Sequence, residues 1–132
     1  MTVIFRCDSS SEIGSGHVMR CLNLAKEIRY RGKDSIFICK PNDGCLIDLI
    51  KNDFKVLELP NNPAQIFEIN INKECNSNIY KKWLGWNQID DVNYTISCLK
   101  KIDNLSIDYV VIDHYSLDIK WEKYFLDKLS IF

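Results

Sequence analysis

The stretch Val3-Ile4-Phe5-Arg6-Cys7-Asp8-Ser9-Ser10-Ser11-Glu12-Ile13-Gly14-Ser15-Gly16-His17-Val18-Met19-Arg20-Cys21-Leu22 decides the fold. Its start, Val3 to Cys7, is a short, nearly continuous apolar run of the kind found in parallel strands buried on both faces. Asp8 to Gly16 is rich in serine and glycine and reads as a loop. From His17 onward, Val18, Cys21, Leu22, Ala25 and Ile28 recur at helical spacing, and Gly32 supplies the stop. A strand, a glycine turn and a helix start form a place where α/β proteins receive anionic ligands. Free backbone N–H groups and the positive end of the helix dipole both face outward there. His17 stands in the first helical turn, directly after two glycines that let a ligand come close, which makes it a candidate general base.

Working outward, Ser35 to Cys39 reads as a second strand, followed by a turn at Pro41-Asn42-Asp43-Gly44 and a helix from Cys45 to Asn52. Lys55 to Leu59 is a third strand, stopped by Pro60. The asparagine-rich segment from Asn61 to Gln88 has weak periodicity. A short helix near Gln65 to Glu68 is expected there, with Trp83 and Trp86 as core anchors. Asp90 to Lys101 reads as a helix with Val92, Ile96 and Leu99 inward, Tyr109 to Ile112 as a strong strand, and Leu117 to Lys128 as a last helix. Strands alternating with helices imply a parallel sheet covered by helices, a Rossmann-like α/β fold.

Parallel sheets bind ligands at the carboxyl ends of their strands. Two polar clusters fall at such ends, Arg6 to His17 and Asp113-His114-Tyr115-Ser116, and the topology predicts that they share one rim. Tyr115 is a candidate sugar contact. Arg6 and Asp8 read first as a local ion pair. They also stand with Ser11, Gly14, Ser15, Gly16, Asp113 and His114 in the candidate substrate-binding set.

The 132 residues, 46% hydrophobic and 27% charged, fit one domain spanning 1–132. Net charge is -1 with the signs interspersed, so neither a nucleic-acid surface nor a membrane surface is indicated. Six cysteines without a C-x-x-C pair read as buried thiols rather than a zinc site or a disulfide framework. No signal peptide or membrane span is legible, and a cytoplasmic protein is expected. Ser130-Ile131-Phe132 reads as a strand just beginning, as if a further lobe followed.

Several chemistries are disfavoured by spacing. Met19 occupies the third glycine position of the dinucleotide fingerprint, and Cys39-Lys40 stands where its acid is expected, so NAD binding is not supported. There is no G-x-x-x-x-G-K-[ST] loop, no G-x-S-x-G elbow and no D-x-D triplet to hold a metal on a nucleotide diphosphate. No cofactor is expected, and a metal-free mechanism is preferred.

Phe5 to Leu22, Trp83-Leu84-Gly85 and Val111-Ile112-Asp113-His114-Tyr115 together resemble the PseG-like UDP-2,4-diacetamido-2,4,6-trideoxy-β-L-altropyranose hydrolases of pseudaminic acid biosynthesis. These are related to spore-coat polysaccharide biosynthesis proteins. The resemblance implies the N-terminal lobe of a GT-B-like two-lobe fold, with His17 activating the water that attacks the anomeric carbon and Tyr115 in the active site. It implies a UDP-linked amino sugar and water as reactants, loss of UDP with inversion, and no metal. The nucleotide is then held largely by a C-terminal lobe of the same protein or of a partner chain, and this lobe alone is expected to be inactive. A glycosyltransferase of the same architecture and a non-catalytic lobe completed by a partner are the competing readings.

Overall fold

The computed structural model describes residues 1–61 and 83–130. The expected helix at Gln65 to Glu68, Cys75 and the strand start at Ile131 lie outside the described residues. The elements in chain order are β1 (Thr2–Cys7), α1 (Gly16–Tyr30), β2 (Asp34–Cys39), α2 (Ile47–Lys51), β3 (Lys55–Glu58), α3 (Gln88–Leu99), β4 (Ile107–Asp113) and α4 (Ile119–Leu129). The four strands form one all-parallel sheet in the order β3-β2-β1-β4, a Rossmann-like α/β arrangement.

Both faces of β1 are buried, and its alternation divides the core in two. Val3, Phe5 and Cys7 face α1 and α2, packing with Val18, Cys21, Leu22, Ala25, Phe37, Ile47 and Ile50. Ile4 faces the other way, with Ile36 and Ile38, onto Val92, Ile96 and Leu99 of α3 and Trp121 and Phe125 of α4. Phe5 and Phe37, opposite one another in the β1–β2 register, stack with ring centroids 4.9 Å apart. Residues Val92, Ile96 and Leu99 are the inner face read from the sequence.

The helix ends follow their sequences. Gly32, at φ 86°, closes α1: its N–H donates to the Arg29 carbonyl and that of Lys33 to the Ile28 carbonyl, a Schellman pair. Asn87 caps α3 by accepting from the Asp90 N–H at 2.8 Å, and Asp118 caps α4 by accepting from Lys120 at 2.9 Å.

The site is positioned by the strand order. The chain runs β1, β2, β3 to one side and then returns to place β4 on the other side of β1. The loops leaving β1 and β4 therefore diverge at the point between these two strands, where open α/β sheets form their ligand crevice. Cys7 pairs with Asp113 at the last register position, so α1 begins beside the end of β4.

The β1–α1 loop is zipped to the β2–α2 loop. Ser11 donates its N–H to the Asp43 carbonyl at 3.1 Å, and the Ser9 hydroxyl accepts from the Leu46 N–H at 2.8 Å. Gly44, at φ 74°, makes this possible: a Cβ there would lie 2.3 Å from Ser11 Oγ and 3.0 Å from Ser11 N. Gly44→Ala is expected to cost about 1–3 kcal/mol, the usual price of a left-handed backbone on a residue with a Cβ. Urea unfolding checks this, and an unchanged midpoint would contradict the packing described.

Candidate active site

His17 and Asp113, 96 positions apart in the chain, meet at 2.6 Å between Nδ1 and Oδ1. The carboxylate only accepts, so this contact, shorter than the 3.2 Å approach of Arg20 Nη2 to the same nitrogen, places the hydrogen on Nδ1, and in the neutral ring Nε2 carries the lone pair. Nε2 takes no hydrogen bond among the described residues. Arg20, one helical turn after His17, donates to the same carboxylate from Nε at 3.1 Å and Nη2 at 2.9 Å. Burial alone would raise the Asp113 pKa, but the hydrogen bonds from Arg20 and His17 outweigh it and hold the group below its ordinary value. Asp113 thus stays a carboxylate, able to fix the ring and balance a positive imidazolium.

Tyr115 leans on this pair. Its ring meets the His17 ring edge-on at 4.7 Å and stacks on Trp83 at 6.3 Å, and the residue is 61% exposed. Trp83 is half-buried at the rim, which corrects its expected role as a core anchor; Trp86 is buried as expected. Beyond Trp83 a pocket of about 270 Å³ is lined by Ser10, Ser11, Glu12, Ile13, Asn42 and Asp43. Ser11 is thereby placed on the rim. Gly14, at φ 82°, donates its N–H to the Ser10 carbonyl and turns the loop. Ser15 and Gly16 are exposed at the start of α1, where Ser15 makes no side-chain cap and a Cβ on Gly16 would meet nothing. Nothing among the described residues requires glycine at 16, and its backbone is exposed.

Beneath the rim lies a sealed polar frame. Arg6 forks onto Asp91, from Nε at 3.0 Å and Nη2 at 2.6 Å, and onto Asp8, from Nη1 at 2.7 Å and Nη2 at 3.1 Å. Asp91 also accepts from Trp86 Nε1 at 2.9 Å and Trp121 Nε1 at 2.8 Å. Asp8 accepts from the Lys40 N–H at 2.7 Å and pairs with His114 Nε2 at 3.1 Å. His114 Nδ1 accepts from the Ser116 N–H at 3.0 Å, so Nε2 is the donor to Asp8. Burial would raise the Asp8 pKa, but the Arg6 charge and the His114 bond prevail and hold it well below the usual carboxylate range. Arg6 is likewise raised: burial disfavours the cation, and the Asp8 and Asp91 charges more than offset it.

This frame corrects part of the substrate-binding set. Arg6 and Asp8 are 0% exposed, and the His114 side chain is buried with both ring nitrogens engaged. These three present no polar atom to a ligand and instead shape the strand ends from below. The local Arg6–Asp8 pair is present, but Asp91 makes it a long-range device. The five described cysteines, Cys7, Cys21, Cys39, Cys45 and Cys98, are free thiols. Hydrogen bonding to Cys21 and Cys39, together with burial, pushes the Cys7 thiol up. Among the described residues no group of three His, Cys, Asp or Glu side chains is placed to hold a metal ion, and no helix is long and apolar enough to cross a membrane.

Sequence reasoning missed Arg20, Asp91 and Lys40. Arg20 carried a signal, since position i+3 shares a helix face with His17. Asp91 carried a second one: it lies on the buried stripe with Val92, Thr95, Ile96 and Leu99. An acid on such a stripe needs a buried cation, and Arg6 is that cation.

No family model matches this chain. A comparison with curated proteins supports the resemblance read from the sequence, and the aligned stretch makes up 24% of that relative's length. Over 75 residues, 56% of its own length, the chain is 47% identical, and so similar, to the UDP-2,4-diacetamido-2,4,6-trideoxy-beta-L-altropyranose hydrolase of Campylobacter jejuni subsp. jejuni serotype O:2.

Proposed function

We propose that this chain supplies the water-activating wall of a UDP-amino-sugar hydrolase, as the N-terminal lobe of a GT-B-like cytoplasmic enzyme of nonulosonic acid or surface polysaccharide synthesis. The observation that carries the reading is the His17–Asp113 contact at 2.6 Å, which leaves Nε2 as the acceptor at a sheet rim built at the switch point. The similarity to a UDP-sugar hydrolase supports a UDP-linked amino sugar as the substrate class.

In this mechanism a water hydrogen-bonded to His17 Nε2 attacks C1 of the sugar. The new C1–O bond forms as the bond from C1 to the diphosphate oxygen breaks, the water proton passes to Nε2, and UDP leaves with the bonding pair. Asp113 balances the imidazolium, and Arg20 keeps Asp113 ionised. Attack and departure occur on opposite faces of C1, which gives inversion and puts the diphosphate on the far side of the sugar from His17. Arg20, bound to the same carboxylate as His17, is on the attack side. It therefore serves Asp113 rather than the leaving group, and the second lobe holds the nucleotide. Tyr115 orients water or sugar by its phenol and by its edge contact with the imidazole.

Incubating the full-length protein with a UDP-linked 2,4-diacetamido-2,4,6-trideoxyhexose and no acceptor is expected to release UDP rapidly. Release only when an acceptor alcohol is added would make the protein a glycosyltransferase, with His17 deprotonating that alcohol. Tyr115→Phe keeps the ring contacts and is expected to lower turnover by less than His17→Ala does. Equal losses in steady-state kinetics would contradict a purely orienting phenol.

A further inference from the structure

Lys40 directly follows β2 and is 2% exposed, an unusual place for an ammonium group. Among the described residues it forms no ion pair, although Asp8 and Asp91 lie close enough to feel its charge. Its Nζ donates instead to the Leu84 carbonyl at 2.9 Å and lies 4.4 Å from the centre of the Trp86 ring. Its backbone N–H holds Asp8, and its carbonyl accepts from the Asn42 N–H at 2.9 Å. One residue thus ties together the end of β1, the turn after β2 and the Trp83–Trp86 segment. Burial lowers its pKa, opposed by Asp8 and Asp91 and aided by Arg6.

Stability alone does not call for this arrangement, because apolar residues of similar volume commonly replace buried charges at little cost. What the ammonium holds is informative. Leu84 directly follows Trp83, Trp83 stacks on Tyr115 at 6.3 Å, and Tyr115 meets His17 at 4.7 Å. From Lys40 Nζ the connection runs by a hydrogen bond to the Leu84 carbonyl, along the backbone to Trp83, and by ring contacts through Tyr115 to the imidazole. We propose that Lys40 is a positioning residue: by fixing the Leu84 carbonyl it sets Trp83 behind Tyr115 and so holds Tyr115 against His17. This rests on the reading of His17 and Tyr115 as parts of a hydrolytic site.

The test uses the full-length protein in a double-mutant cycle. Lys40→Met is expected to lower kcat by about 10²-fold, the scale of a reacting group misplaced by about 1 Å. Trp83→Ala is expected to lower it similarly, and the double variant to be no worse than Trp83→Ala alone, because both act through one ring. Losses that multiply would overturn the proposal. Fluorine NMR of protein labelled with 5-fluorotryptophan supplies a readout independent of activity. The Trp83 resonance, assigned by Trp83→Phe, is expected to move in Lys40→Met; an unmoved resonance overturns the proposal even if the protein hydrolyses no UDP-sugar. Should Lys40→Met fail to fold, Lys40→Gln keeps an N–H donor for the carbonyl. Trp83 is then expected to stay near its wild-type position, and a displaced Trp83 in that folded variant would count against the proposal. A wild-type protein inactive on UDP-sugars would refute the hydrolase reading while leaving the fluorine result to judge Lys40.

Discussion

His17→Ala in the full-length protein is expected to lower UDP release by about 10²–10⁴-fold, the usual worth of a positioned general base, while leaving the fold intact. The expectation follows from where the ring sits. Its Nδ1 is committed to Asp113, so Nε2 is the nitrogen left to take a proton from water. Removing the ring takes away the base and the edge against which Tyr115 packs. The Arg6 frame lies in a separate set of hydrogen bonds that do not involve His17, so the unfolding midpoint should change little. Steady-state kinetics together with thermal unfolding check both halves. Near-normal turnover would remove His17 from the chemistry.

Asp91→Ala is expected to have the largest effect on stability, a loss of about 3–5 kcal/mol, as when one partner of a buried ion pair is removed. The carboxylate accepts four bonds, two from Arg6 and one each from Trp86 and Trp121. Without it, Arg6 keeps Asp8 as its one charged partner among the described residues, and two indole N–H groups lose their acceptor inside the core between the sheet, α3 and α4. Urea denaturation measures the loss, and a value below about 1 kcal/mol would mean that water replaces the carboxylate.

The fold was legible because its signals are local. Val3 to Cys7, the serine–glycine loop and the apolar stripe after His17 specify strand, turn and helix without reference to anything distant. That Asp113 could share a rim with the β1 loop was legible too, since parallel strands end on one edge of the sheet, but the strand order is what makes β1 and β4 neighbours. The partners of Arg6 were not, because Asp91 lies 85 positions away and nothing near Arg6 distinguishes a substrate contact from a buried fork. His114 is hidden for a related reason: it stands between Asp113, the last residue of β4, and Tyr115, and while these neighbours belong to the rim its ring belongs to the frame. Trp83 and Trp86 show how fine the division is, three positions apart with one ring at the rim and the other in the core.

In the proposed mechanism, water held by His17 attacks carbon rather than phosphorus. Hydrolysis of the UDP-sugar by the full-length protein in water enriched in ¹⁸O, with mass analysis of both products at early times, tests this directly. Label is expected in the C1 hydroxyl of the released sugar and none in UDP; label in the terminal phosphate of UDP would mean attack at phosphorus and overturn the role of His17.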